Sequence, residues 1–134
     1  MRVTTAVALA ATVTSASTLQ VPRSAHIGRK VTVYASGRVA RGITNGDAVI
    51  LEIQPKANRG GNGFGVEPKF RAVVVGDRVR VVFRWPANDN HCFGAANCVK
   101  TPWRIGSGVD INVCAENPMF IVEACARGTV VVRD

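Results

Sequence analysis

Residues 78–85 read Arg78-Val79-Arg80-Val81-Val82-Phe83-Arg84-Trp85, and Pro86 follows. In an extended chain Val79, Val81, Phe83 and Trp85 fall on one side, and Arg78, Arg80, Val82 and Arg84 fall on the other. Strand side chains alternate between two faces, so this pattern predicts a half-buried strand with a basic solvent face. Pro86 ends it, because proline has no N–H to give to a ladder. A strand that is apolar on one side must bury that side against a second layer.

The same pattern recurs outward from this stretch. Ser17–Val21 alternates and stops at Pro22. Lys30–Val39 carries Val31, Val33 and Ala35 on one face and Thr32, Tyr34 and Ser36 on the other. Asn45-Gly46 supplies a turn that accepts positive φ. Ala48–Gln54 (AVILEIQ) is an apolar strand before Pro55, and Phe70–Val75 runs into Gly76-Asp77. Gly108–Ala115 (GVDINVCA) places Val109, Ile111 and Val113 inward, and Thr129–Arg133 closes the chain. Loops are expected at Lys56–Gly65, Ala87–Pro102 and Glu116–Ala124. No segment predicts a helix, and none repeats another. About seven short strands, spaced by roughly 8–12 residues, predict an all-β antiparallel sandwich or barrel.

Composition supports that class. The 134 residues suffice for one domain with its own core, and 47% are hydrophobic. Val and Ala dominate, while Leu occurs only at Leu9, Leu19 and Leu51. Val fits a pleated surface, whereas helical bundles are rich in Leu. The net charge of +8 draws anionic partners, whether nucleic acid, an anionic cell-wall polymer, acidic lipid headgroups or an acidic protein, and is equally the signature of an Arg-rich proteome. No run of 18 or more apolar residues is present, so no membrane-spanning helix is expected.

Residues 1–16 support two readings. Met1-Arg2, an apolar Ala6–Ala11 stretch and the small residues Thr14-Ser15-Ala16 fit a short signal peptide. The alternation of Val3, Val7, Leu9 and Val13 with Thr and Ala equally fits a strand that pairs with a neighbouring subunit. Residues 17–134 then form the folded domain.

Cys92, Cys98, Cys114 and Cys125 are even in number, which in a small exported domain predicts two disulfides. Three pairings exist. Cys92–Cys98 and Cys114–Cys125 are expected, since each closes a short loop. Cys114 and Cys125 would also face each other at the base of a terminal hairpin. The gaps of five and ten residues do not suit a zinc site.

Three stretches carry a family resemblance. They are Arg29-Lys30-Val31-Thr32-Val33 after Pro22 and Gly28, Val82–Pro86, and Trp103–Val109 continuing into Val113-Cys114-Ala115 and Cys125-Ala126-Arg127. Together they resemble small secreted, cysteine-containing immunoglobulin-like proteins of actinobacterial type, over about Ser17 to Arg133. The resemblance implies an immunoglobulin-like β-sandwich in an extracellular setting, with no known activity.

Catalysis needs a nucleophile, a base and an acid that converge. His26 falls in an expected turn and His91 adjoins Cys92 in an expected loop, neither paired with a plausible nucleophile, and the carboxylates are scattered, with Asp110 and Glu116 straddling a strand end. Asn88-Asp89-Asn90 lacks a calcium-loop pattern and reads as a solvated loop. Gly61–Gly65 lacks the following helix of a phosphate loop. No cofactor is expected. Arg78, Arg80 and Arg84 form a candidate stripe for an anionic partner. With aromatics at 6% and Phe83 and Trp85 inward, specific nucleic-acid reading is not expected. Trp85 is assigned to the core, and Trp103 is left between core and carbohydrate platform. The expected role is a non-enzymatic structural or binding module of the bacterial surface. The alternative is a self-assembling subunit of an extracellular filament, or a phage tail or capsid decoration protein, joined through Val3, Val7, Leu9 and Val13.

Overall fold

The computed structural model describes residues 16–55, 69–92, 98–115 and 125–134. Among these the strands are β1 (Ser17–Gln20), β2 (Ser24–His26), β3 (Lys30–Gly37), β4 (Ala48–Pro55), β5 (Lys69–Arg71) and β6 (Val73–Val75). They continue with β7 (Arg78–Arg84), β8 (Asp89–Cys92), β9 (Cys98–Thr101), β10 (Gly108–Ala115) and β11 (Cys125–Arg133). One helical turn, α1, spans Arg38–Arg41. Sheet I has the order β1-β3-β7-β6, sheet II the order β2-β11-β10-β4-β5, and β8-β9 is a separate hairpin. The chain is therefore all-β, as its alternation predicts.

The inward residues of the two sheets make one core. Val31, Val33 and Ala35 of β3 and Val79, Val81 and Phe83 of β7 come from sheet I. Val49, Leu51 and Ile53 of β4, Val109, Ile111 and Val113 of β10, and Val130 and Val132 of β11 come from sheet II. Each fully buried Val, Leu or Ile contributes about 1.5–3 kcal/mol of transfer free energy. Trp85 is 1% exposed and stacks at a tilt on Trp103, with ring centroids 5.3 Å apart. Trp103 is also buried, and its Nε1 donates to the Pro86 carbonyl at 2.8 Å. Both tryptophans thus belong to the core.

The expected count of about seven strands is corrected to eleven among the described residues. Part of the excess comes from strands that change sheets. The opening strand divides around Pro22: β1 pairs antiparallel with β3, while β2 pairs parallel with β11. Gly128 makes room for this crossing. A Cβ there would lie 2.7 Å from Val21 Cγ1 and 3.2 Å from the Leu19 carbonyl. The expected strand Phe70–Val75 divides likewise, β5 joining β4 and β6 joining β7. Buried Ala72 marks the switch. Its N–H donates to Asp47 O at 2.7 Å and its carbonyl accepts from Gly46 N–H at 2.9 Å, so it bonds to a turn instead of a ladder.

Further expectations are corrected, among them that no segment is helical, since Arg38–Arg41 forms α1. The strand expected over Lys30–Val39 stops at Gly37, whose φ of +81° departs from extended backbone. Val39 and Ala40 are then buried on α1, and Val39 N–H donates to Ser17 Oγ at 2.9 Å. The loop expected over Ala87–Pro102 contains the antiparallel β8-β9 hairpin. Asp89 is accordingly 7% exposed, not solvated. Thr129–Arg133 is only the end of β11, which begins at Cys125 because Cys125–Gly128 already pair with β10.

Candidate functional site

The stripe first read in residues 78–85 lies in the middle of sheet I. On β7 the inward positions are buried, Val82 and Arg84 are exposed, and Arg78 and Arg80 are half-buried. Register adds neighbours that local sequence does not show. Lys30 is the Cα partner of Arg84, Thr32 of Val82, Tyr34 of Arg80 and Ser36 of Arg78. On the other side Val73 faces Arg80 and Val75 faces Arg78. The outward positions of β3 and β7 thus carry Lys30, Arg78, Arg80 and Arg84 with no carboxylate between them, and none stands on β1 or β6. Asp77 sits beyond the strands, in the β6–β7 turn.

Two of these cations are held. The Arg78 guanidinium lies 4.4 Å from the Tyr34 ring centroid, and its Nη1 reaches Gln20 Oε1 at 3.4 Å. A cation over an aromatic face is attracted by the ring quadrupole. Arg84 Nη1 donates to the Gly28 carbonyl at 2.6 Å. Arg80 and Lys30 have no polar partner among the described residues. Tyr34 is the feature sequence reasoning missed. Its outward placement was legible from the alternation, but its position beside Arg80 depends on a pairing 46 residues away.

The outer face of sheet II is mixed. Cys114 and Cys125 are Cα partners, 4.1 Å apart, and form a disulfide. Next along the two strands, Asn112 pairs with Arg127 on one side and Glu52 on the other. Asp110, 5% exposed, accepts from Thr129 Oγ1 at 2.6 Å. At the sheet's margin exposed His26 places Nδ1 3.3 Å from the Asp134 carbonyl.

The turn before β4 has its own electrostatics. Asp47 Oδ2 accepts from Thr44 N–H at 2.8 Å. That backbone hydrogen bond, then one from the Thr44 side chain and the charge of Arg71, lower the Asp47 pKa from its ordinary 3.8. Asn45, in the same turn, accepts the Val74 N–H on its Oδ1 at 2.9 Å. This bond covers an outward N–H of β6, the edge strand of sheet I, where Val73, Val74 and Val75 are 38–40% exposed.

Other expected sites are not brought together. Cys92 and Cys98 are opposed Cα partners in the β8-β9 hairpin, but their side chains, like that of His91, lie outside the described residues. So do Val3, Val7, Leu9 and Val13, the Gly61–Gly65 loop and Glu116. Among the described residues no three His, Cys, Asp or Glu side chains gather as metal ligands. No helix there is long and apolar enough to cross a membrane. Searches of protein-family models, curated proteins and solved structures find no match to this chain.

Proposed function

We propose that the chain is an immunoglobulin-like β-sandwich that serves as a non-enzymatic binding module outside the cell. The strand order supports the fold reading. Sheet I follows the A-B-E-D order of such domains, and β11-β10-β4 follows G-F-C. The parallel β2–β11 pair suits a first strand shared between both sheets. The Cys114–Cys125 bridge supports an oxidising compartment. Opposed Cα positions in a hairpin make Cys92–Cys98 the second bridge of this reading.

One observation carries the role: a cationic face of β3 and β7 without a carboxylate, on a two-sheet scaffold whose other sheet carries a disulfide. Rigid scaffolds that present charged surfaces act by recognition. The test is localisation with redox state. The protein should be found in the medium or on the cell surface, all four cysteines resisting alkylation until reduced. A cytoplasmic protein with alkylatable cysteines overturns the reading. Light scattering should give a monomer. Concentration-dependent oligomers would instead support the assembly subunit joined through Val3, Val7, Leu9 and Val13.

A further inference from the structure

We infer that the outer face of sheet I binds a linear phosphodiester polymer along β7 and does not read bases. This rests on the binding-module reading and names its ligand.

Alternate residues of a strand are about 7 Å apart, so Arg78, Arg80 and Arg84 offer cations at steps of about 7 and 13 Å along one line. A chain with one anion per repeat of similar length can meet them in register. The charges are arginines, whose planar fork donates two parallel N–H bonds to a phosphate. Two are fixed before any ligand arrives: Arg78 by Tyr34 and Gln20, Arg84 by the Gly28 carbonyl. Arg80 lies between them with no polar partner among the described residues. Of the three arginines in the row, its guanidinium is the one that no polar group among the described residues already engages.

Two competing occupants fit less well. Single-stranded nucleic acid recognised through its bases needs aromatic platforms. Here Tyr34 is the aromatic on the face, and Arg78 already lies over its ring. A folded acidic protein needs about 800 Å² per partner for a standard interface. The four strands have 4, 8, 7 and 3 residues, which at about 3.3 Å per residue and about 4.8 Å between strands give roughly 350 Å² of sheet. A linear polymer needs only a strip. Exposed Val82, with Val73 and Val75 beside the Arg row, gives the carbon part of each repeat an apolar bed.

The test measures fluorescence anisotropy of the full chain with a short abasic deoxyribose-phosphate oligomer, thymidine oligomers of equal length, and poly-glutamate. The abasic and thymidine oligomers should bind equally and better than poly-glutamate. The slope of log affinity against log salt should be about −2, for three phosphates neutralised at about −0.7 each. Arg80→Gln should weaken binding about tenfold and flatten the slope by about 0.7. Arg80→Lys should keep most of the slope. Arg127→Gln, the same charge change on sheet II, should leave binding unchanged, and matching thermal melts verify the fold of each variant. Preference for thymidine over the abasic oligomer, preference for poly-glutamate, or equal losses from Arg80→Gln and Arg127→Gln would each overturn the inference. A secreted, disulfide-bonded monomer that binds none of these probes would sink the ligand alone. A reduced cytoplasmic protein would sink the module reading, whatever the probes do.

Discussion

On sheet I the outward positions of β3 and β7 carry Lys30, Tyr34, Arg78, Arg80 and Arg84; on sheet II those of β4, β10 and β11 carry Glu52, Asp110, Asn112, Arg127 and a disulfide. Inside, both sheets present rows of Val with nothing charged, joined by Phe83 on sheet I and by Leu51, Ile53 and Ile111 on sheet II. The inner rows serve burial and are satisfied by any well-packed apolar set. The outer rows are free of that demand, and the two sheets use the freedom differently. Sheet II joins its own strands through a bridge and a carboxylate–hydroxyl bond, and sets Asn112 in register between Arg127 and Glu52. Sheet I leaves its central charges uncompensated. Cross-strand links thus lie on the outer face of sheet II, and the recognition proposed above would use the opposite surface.

That division is testable, beginning with the core both faces share. Trp85→Ala removes a large fully buried ring and should cost about 3–5 kcal/mol in urea unfolding. Both surfaces should fail together, and loss of only one would show that the sheets fold independently. Removing the sheet II bridge, with Cys114→Ala and Cys125→Ala together, should cost about 2–3 kcal/mol for so short a loop. Oligomer binding on sheet I should survive it, and coupled loss would break the comparison. Thr129→Val leaves Asp110 without its hydroxyl donor and should cost about 1–3 kcal/mol by the same assay. Asn45→Ala should cost about 1 kcal/mol or less. Its clearer readout is concentration-dependent scattering, because the β6 edge loses its cover.

The smallest expected effect is a pH dependence at the Thr44–Asp47 turn. Asp47 has a lowered pKa in the fold, so its hydrogen bond stabilises the protein above the ordinary carboxylate value. That contribution falls away as acidification passes 3.8 and then the lower folded value. Comparing stability-against-pH curves of the parent and Asp47→Asn isolates it. Identical acid limbs would show that the turn contributes nothing.

Much of the fold was legible because alternation is local. The stretches around Val79–Phe83, Val31–Ala35 and Val109–Val113 needed only a period of two to show which side is buried. The Cys114–Cys125 pairing was legible because a hairpin places residues near in sequence opposite each other. Ala72 was not, since nothing nearby shows that the Asp47 carbonyl would take its N–H from a ladder. Gly37 was not, because one positive φ turns a β-branched run into a helical turn that buries Val39. Of the candidate site, the Arg row could be read directly. Tyr34 beside Arg80 and Lys30 beside Arg84 could not, because strand register between distant segments is set by the packed core.

The parallel pairing of β2 with β11 has a mechanical consequence. Val131 N–H donates to the Arg23 carbonyl at 3.1 Å and Ile27 N–H to the Arg133 carbonyl at 3.0 Å, so this short ladder ties an early strand to the last one. In a parallel pair, tension applied between the start of one strand and the end of the other runs along both. The rungs are then sheared together instead of being peeled in turn. A protein tethered at one side and pulled at the other would hold until the whole ladder gave way, and its lifetime under load would follow the unfolding rate, not the equilibrium stability.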